Sequence, residues 1–125
     1  MTRLGEIAQH ECIKLVTFKR DGNEVATPVW FIVHEEKIYC RTAREFGKVK
    51  RLRNNPAVRF CPCDWHGNEQ GPWHTGRAAL LDHSSAPAER ADQLLKDKYG
   101  SKRQDMSDYM EAEQLTAQFI QIDTA

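Results

Sequence analysis

The sequence lacks the glycine-rich signatures that cradle nucleotide phosphates. There is no GxGxxG run, and Gly47-Lys48 has Thr42 where a Walker loop needs glycine and Val49 where it needs Ser or Thr. GxSxG and HExxH are also missing, so neither a hydrolase nucleophile elbow nor a zinc-protease helix is written in the chain. No apolar run approaches the ~18 residues of a membrane span, and no signal-like apolar core opens the N-terminus. The expected compartment is the cytoplasm, without a membrane partner. Cysteine is scarce: Cys12, Cys40, Cys61 and Cys63 are too few for a secreted disulfide scaffold and are expected to stay reduced. An excess of one charge is absent too, since 18 Lys+Arg balance 18 Asp+Glu. That argues against a nucleic-acid coat and against an acidic disordered tail.

What remains is a chain of 125 residues with 40% hydrophobic and 29% charged residues, read as one domain over 1–125. A chain of this length buries roughly two-thirds of its unfolded surface. It has little room left for a deep private cleft, so a large ligand calls for a second subunit. Residues 11–19 are β-branched and aromatic, and Asp21-Gly22-Asn23 follows with hairpin-turn chemistry. In the next strand Val25, Thr27, Val29, Phe31 and Val33 share one face, and Ala26, Pro28, Trp30 and Ile32 share the other. Both faces are apolar, so the strand predicts cover on both sides: the core on one, a partner subunit or a ligand on the other. Pro28 cannot donate to a ladder and belongs at an edge or bulge.

Further strands are predicted at KIYCRT, at 57–64, near 73–81 and at QFIQI. A short helix over 47–55 carries Val49 and Leu52 inward, and Asn54-Asn55-Pro56 stops it. Ser84-Ser85 caps a helix ending at Tyr99-Gly100 with Ala88, Ala91, Leu94 and Leu95 as its stripe. Met106, Tyr109 and Met110 mark a second helix. Short strands joined by turns too brief for crossovers predict a mainly β, antiparallel six-stranded barrel with α+β trim.

Cys61, Cys63, His66 and His74 fall within fourteen residues, but CxC is not the spacing of a structural zinc knuckle, and no metal is expected. His10, His34 and His83 read as surface residues. The charge, balanced overall, is not evenly spread: residues 41–59 carry net +6 and the other 106 carry −6. Such a run is a solvated helix face, a nucleic-acid contact or an anion site. Within it, Arg41-Thr42 ends a strand and Gly47-Lys48 opens a helix, where free N–H groups suit a phosphate. Lys48 and Arg51, three apart, are placed to clamp the same anion. Pro28-Val29-Trp30 offers an apolar wall of ring size beside it, the combination a flavin needs.

VATPVWF (25–31), IYCRT (38–42), GKVKRLRNNPAVRFCPCD (47–64) and GPWHTGRA (71–78) resemble the pyridoxamine 5′-phosphate oxidase-like superfamily, in particular its branch of coenzyme F420-dependent enzymes. The resemblance runs from about Glu11 to Tyr99. It implies a split β-barrel homodimer with flavin or deazaflavin sites at the subunit interface. By position, Thr42 and Lys48 match the phosphate-contacting strand end and lysine, and Thr27, Pro28, Val29 and Trp30 match the strand that borders the ring. Trp73 matches a strand that approaches the partner's cofactor. Phe46 stands where members often carry Ser, and Gly47 where the oxidases carry a second phosphate-binding Arg. The oxidases' substrate-binding tail has no counterpart after QFIQI, so vitamin-B6 oxidation is not the expected reaction. The expected function is hydride transfer between FMN, or alternatively F420, and a small organic redox substrate, with no catalytic acid or base assigned. The alternatives are a non-catalytic flavin- or haem-type binding module and an RNA-binding barrel.

Overall fold

The computed structural model describes residues 3–124. After a short helix, α1 (Arg3–Ile7), come the strands β1 (Cys12–Phe18), β2 (Glu24–His34) and β3 (Lys37–Ala43), then α2 (Gly47–Asn54). The chain continues through β4 (Ala57–Cys63), β5 (His74–Leu81), α3 (Ala86–Tyr99), α4 (Ser101–Ala112) and β6 (Ala117–Thr124). The β1–β2 hairpin turns at Gly22, whose φ of 89° suits glycine, while the Asp21 carboxylate accepts from the Asn23 N–H. The β2–β3 hairpin uses two residues, Glu35 and Glu36, both in the left-handed region at φ 50° and 66°. Positive φ at both central positions matches the right-handed twist of the flanking strands, and the turn forms here without glycine.

The strands close into an antiparallel barrel in the order β1-β2-β3-β6-β5-β4, with β6 filling the gap between β3 and β5. Ile13, Leu15, Phe31, Ile38, Phe60, Ile120 and Ile122 are buried inside it. Each buried side chain of that size contributes about 1.5–3 kcal/mol. Leu4 and Ile7 of α1, an element the sequence reading missed, join the same core, as does Leu52 of α2. A second apolar layer lies outside the barrel, where Ala88, Ala91, Leu95 and Tyr99 of α3 pack on Ile32, Tyr39 and Phe119. Ser85 caps α3 by accepting from the Ala88 N–H, and Gly100 ends it at φ 58°. The outer face of β2 around Trp30 and Ile32 is therefore covered by the chain's own helix, where a partner or ligand was expected. Ala26 stays exposed and Pro28 half-buried.

β2 belongs to two ladders. From Glu24 to Trp30 it pairs with β1, and from Phe31 to His34 it pairs with β3. Pro28 thus sits in the half of the strand that has a neighbour on one flank only, as a residue without an N–H requires. The far half of β3, Arg41–Ala43, pairs with β6 alone. Between these two half-strands the barrel is split. Smaller differences from the sequence reading concern side chains: Tyr109 is exposed although Met110 is buried. His34 is half-buried and its Nε2 has no hydrogen-bond partner among the described residues, so it is not the plain surface residue expected.

Candidate functional site

The split between β2 and β3 opens into a cleft. One wall is Pro28, Val29 and Trp30 of β2, and the other is Arg41, Thr42 and Ala43 of β3, continued by Phe46 and Lys48. The helices close it from outside with Leu95 of α3 and with Arg103, Met106 and Met110 of α4, while Trp65 comes from the β4–β5 connection. The enclosed volume is about 120 Å³. Beyond Trp30 and Met106 the cleft runs into an open trough of about 380 Å³ bordered by Lys102, Asp105 and Tyr109.

Most of the lining is apolar, which makes its three cations the informative feature. Arg103 is buried and donates through Nε and Nη2 to Asp92, and through Nη1 to Ser107. Arg41 and Lys48 have no carboxylate within ion-pair distance among the described residues. Among the described residues Arg41 donates only to the Met110 sulfur, at 3.2 Å. Loss of water lowers the pKa of Arg41, and neighbouring Arg103 lowers it further against the opposing pull of Asp92. The Lys48 ammonium is lowered as well, first by burial and then by Arg51, with Cys40 opposing. Two desolvated cations without a counter-charge favour an anion in the cleft. Thr42, 7% exposed, adds a hydroxyl with no partner among the described residues. The N-terminus of α2 at Phe46 has no side-chain cap, and Phe46 and Lys48 both line the cleft. Among the described residues the lining holds no carboxylate, imidazole or thiol.

Of the residues singled out from the sequence, Pro28, Val29, Trp30, Arg41, Thr42 and Lys48 come together here, whereas Thr27, Arg51 and Trp73 do not. Thr27 pairs with Leu15 and shares the inward face of β2 with Val29 and Phe31. Arg51 donates from Nε to the buried Thr17 hydroxyl at 2.7 Å, and its guanidinium lies over Gly47, where a Cβ would meet it at 2.7 Å. Trp73 precedes β5, which starts at His74. Its indole N–H donates to Glu69 at 3.0 Å, and the Arg59 guanidinium lies 4.7 Å from the ring centre. Trp30 is not a bare wall, since its ring stacks on Tyr99 at 4.7 Å and 14°. Trp65 lies 5.9 Å away from it.

The basic segment does not form one continuous face. Arg41 and Lys48 enter the cleft, Arg51 is bound to Thr17 and Arg59 to Glu24, which leaves Arg44, Lys50 and Arg53 exposed. Cys61 and Cys63 are buried in β4, and no cluster of three metal-ligating side chains occurs among the described residues. Sequence reasoning missed Arg103, Asp92, Trp65 and Tyr99. A Tyr-Gly helix end and an arginine eleven residues after an aspartate carry no local pattern that marks a site.

No family model matches the sequence, and no curated protein matches it. Solved structures do. HutZ, the haem storage protein of Vibrio cholerae, superposes with a TM-score of 0.76 at 12% identity, over 98% of this chain and 87% of that one. A provisionally assigned pyridoxamine 5′-phosphate oxidase from Listeria innocua gives 0.67 at 18% identity, over 97% and 89%. A protein described as an F420 reductase gives 0.60 at 16% identity, over 100% and 95%. At these identities the likeness is one of fold alone, and the fold here is a closed six-stranded antiparallel barrel.

Proposed function

We propose that the cleft holds the anionic end of a flavin or deazaflavin, and that the protein is an oxidoreductase acting on a small organic substrate at a homodimer interface. The observation that carries this reading is the pair Arg41 and Lys48, desolvated and without a carboxylate beside a wall of apolar side chains. The residues fit such a ligand at its charged end. Arg41, Lys48, the Thr42 hydroxyl and the first amides of α2 would bind a phosphate, and Pro28 to Trp30 would orient the ring.

The fit at the ring end needs a second wall. An enclosed space of about 120 Å³ is below the roughly 300 Å³ at which ligand pockets begin. A second subunit across the open trough supplies that wall, and Phe46, Trp65 and Tyr109 are the large exposed hydrophobic residues around it. When bound, the cofactor supplies the hydride chemistry, so the protein's part is to bind, orient and exclude water. FMN is the first candidate and F420 the alternative. Likeness to a haem storage protein favours a second reading, a non-catalytic module whose cations would meet the haem carboxylates.

Titration of the pure protein with FMN, F420 and haemin, followed by absorbance, tests these readings together. Saturable binding of FMN or F420, with turnover of the reduced form by an added electron acceptor, is the expected result. Haemin binding alone would move the protein to the second reading, and binding of none of the three would overturn both. Sedimentation at micromolar concentration should show a dimer, and a species of 14.4 kDa alone would remove the interface from the proposal.

A further inference from the structure

The point where β2 changes partners leaves a problem of backbone chemistry. Continuing the β1–β2 register one step past Cys12↔Trp30 sets Glu11 opposite Phe31, but the ladder ends at Trp30. In a strand the N–H and C=O of one residue point to the same side, so Phe31 presents both toward the missing neighbour. Left unpaired in a buried place they would be costly. The end of α3 meets them. The Tyr99 hydroxyl accepts from the Phe31 N–H at 2.9 Å and lies 2.7 Å from the Glu11 carbonyl and 3.0 Å from that of Phe31. The Lys98 ammonium donates to the Phe31 carbonyl at 3.0 Å. A phenol thus stands between Glu11 and Phe31, inserted where the next rung of the ladder would be. Burial holds its pKa above the ordinary value, so it stays protonated and both donates and accepts.

The same ring is the surface on which Trp30 stacks. Trp30 is the last residue of the β1 ladder and a wall of the cleft, and Leu95, one turn earlier on the same helix, is another. We infer that Tyr99 is the positioning residue of the cleft: its hydroxyl ends the β1–β2 ladder at Trp30, and its ring fixes the indole that the bound ring system meets. The inference rests on the proposed ligand site for its functional half. Its structural half stands without any ligand, because it concerns the seam and the indole alone.

The test uses the full chain and two variants. Tyr99→Phe keeps the stacked ring and removes the bridging hydroxyl, and Tyr99→Leu removes both. Hydrogen exchange at the Phe31 amide should quicken at least tenfold in Tyr99→Phe, and unchanged protection there would overturn the hydroxyl's role. With Trp65 and Trp73 changed to Phe, Trp30 should keep its slow anisotropy decay in Tyr99→Phe and lose it in Tyr99→Leu; an indole equally rigid in both would overturn the ring's role. FMN affinity should fall about tenfold in Tyr99→Leu. Ile122→Val, which loosens the core without touching the seam, should leave it unchanged, and equal losses in the two would show a structural role only. If the unaltered protein binds neither FMN nor F420, the ligand reading fails, while the amide and anisotropy results still decide whether Tyr99 holds the seam and the indole.

Discussion

The barrel interior and the cleft lie on either side of the same two strands and treat polar groups in opposite ways. Two polar side chains buried in or around the barrel have partners inside the chain: the Thr17 hydroxyl accepts from Arg51, and the Gln118 amide donates to the carbonyls of Leu81 and Phe119. In the cleft, Arg41, Lys48 and the Thr42 hydroxyl have none of that kind among the described residues. A group that is satisfied inside the chain adds stability; a group held desolvated and unsatisfied adds affinity for whatever arrives. Lys48 and Arg51 put the contrast within a single turn of α2. They share a face by spacing, yet one waits in the cleft and the other is bound to β1.

The comparison can be broken most sharply from the interior. Phe60 is fully buried in the core, and Phe60→Ala should cost about 3–5 kcal/mol of unfolding free energy in a denaturant titration. A loss under about 1 kcal/mol would mean that the core is not where this fold gains its stability. Next comes Lys48→Ala, which should weaken FMN or F420 binding by about 1.5–3 kcal/mol, the usual range for a hydrogen bond to a charged group. Its stability should not fall, because a desolvated cation is being removed; calorimetric affinity equal to the parent's would take Lys48 out of the site.

Arg51→Ala should do the reverse. Losing the bond to the buried Thr17 hydroxyl should cost about 1–3 kcal/mol of stability while ligand affinity stays put, so a large affinity loss would restore Arg51 as a ligand group. The last effect appears only above about pH 8 and belongs to Lys98, whose pKa is lowered to about 8, mainly by loss of water. Its charged form is disfavoured in the fold, so between about pH 8 and the unfolded value of 10.5 the unfolded chain holds more of this proton. Stability from this group therefore rises with pH across that window and is flat below it. Relative to Lys98→Met, the parent should gain stability from pH 8 upward, and a relative loss would reverse the assignment.

Much of the barrel was legible because its signals are local. Asp21-Gly22-Asn23 makes its turn with its own side chains, and the alternation of β2 gives the inward face of Val29 and Phe31 directly. That Arg41 and Lys48 meet in one cleft was legible because a strand end and a helix start are visible in the letters. The roles of Arg51 and Trp73 were not, since their partners are decided by tertiary neighbours: Thr17 lies 34 residues from Arg51. The cover that α3 gives the outer face of β2 was hidden for the same reason. Tyr99 reaches Phe31 across 68 residues and Glu11 across 88, and no periodicity within a helix announces such contacts.

The place of β6 in the barrel has a consequence for the order in which the chain can assemble. Without it the other five strands form an open ribbon, β3-β2-β1-β4-β5, with β3 and β5 as bare edges. One late strand satisfies both edges at once, pairing Lys37 with Asp123 on one side and Gly76 with Thr124 on the other. Closure is therefore a non-local event, with loop-closure entropy to overcome before its contacts form. During synthesis, a nascent chain carrying β1 to β5 exposes two unpaired strand edges until β6 emerges, the interval in which edge-to-edge association competes with folding.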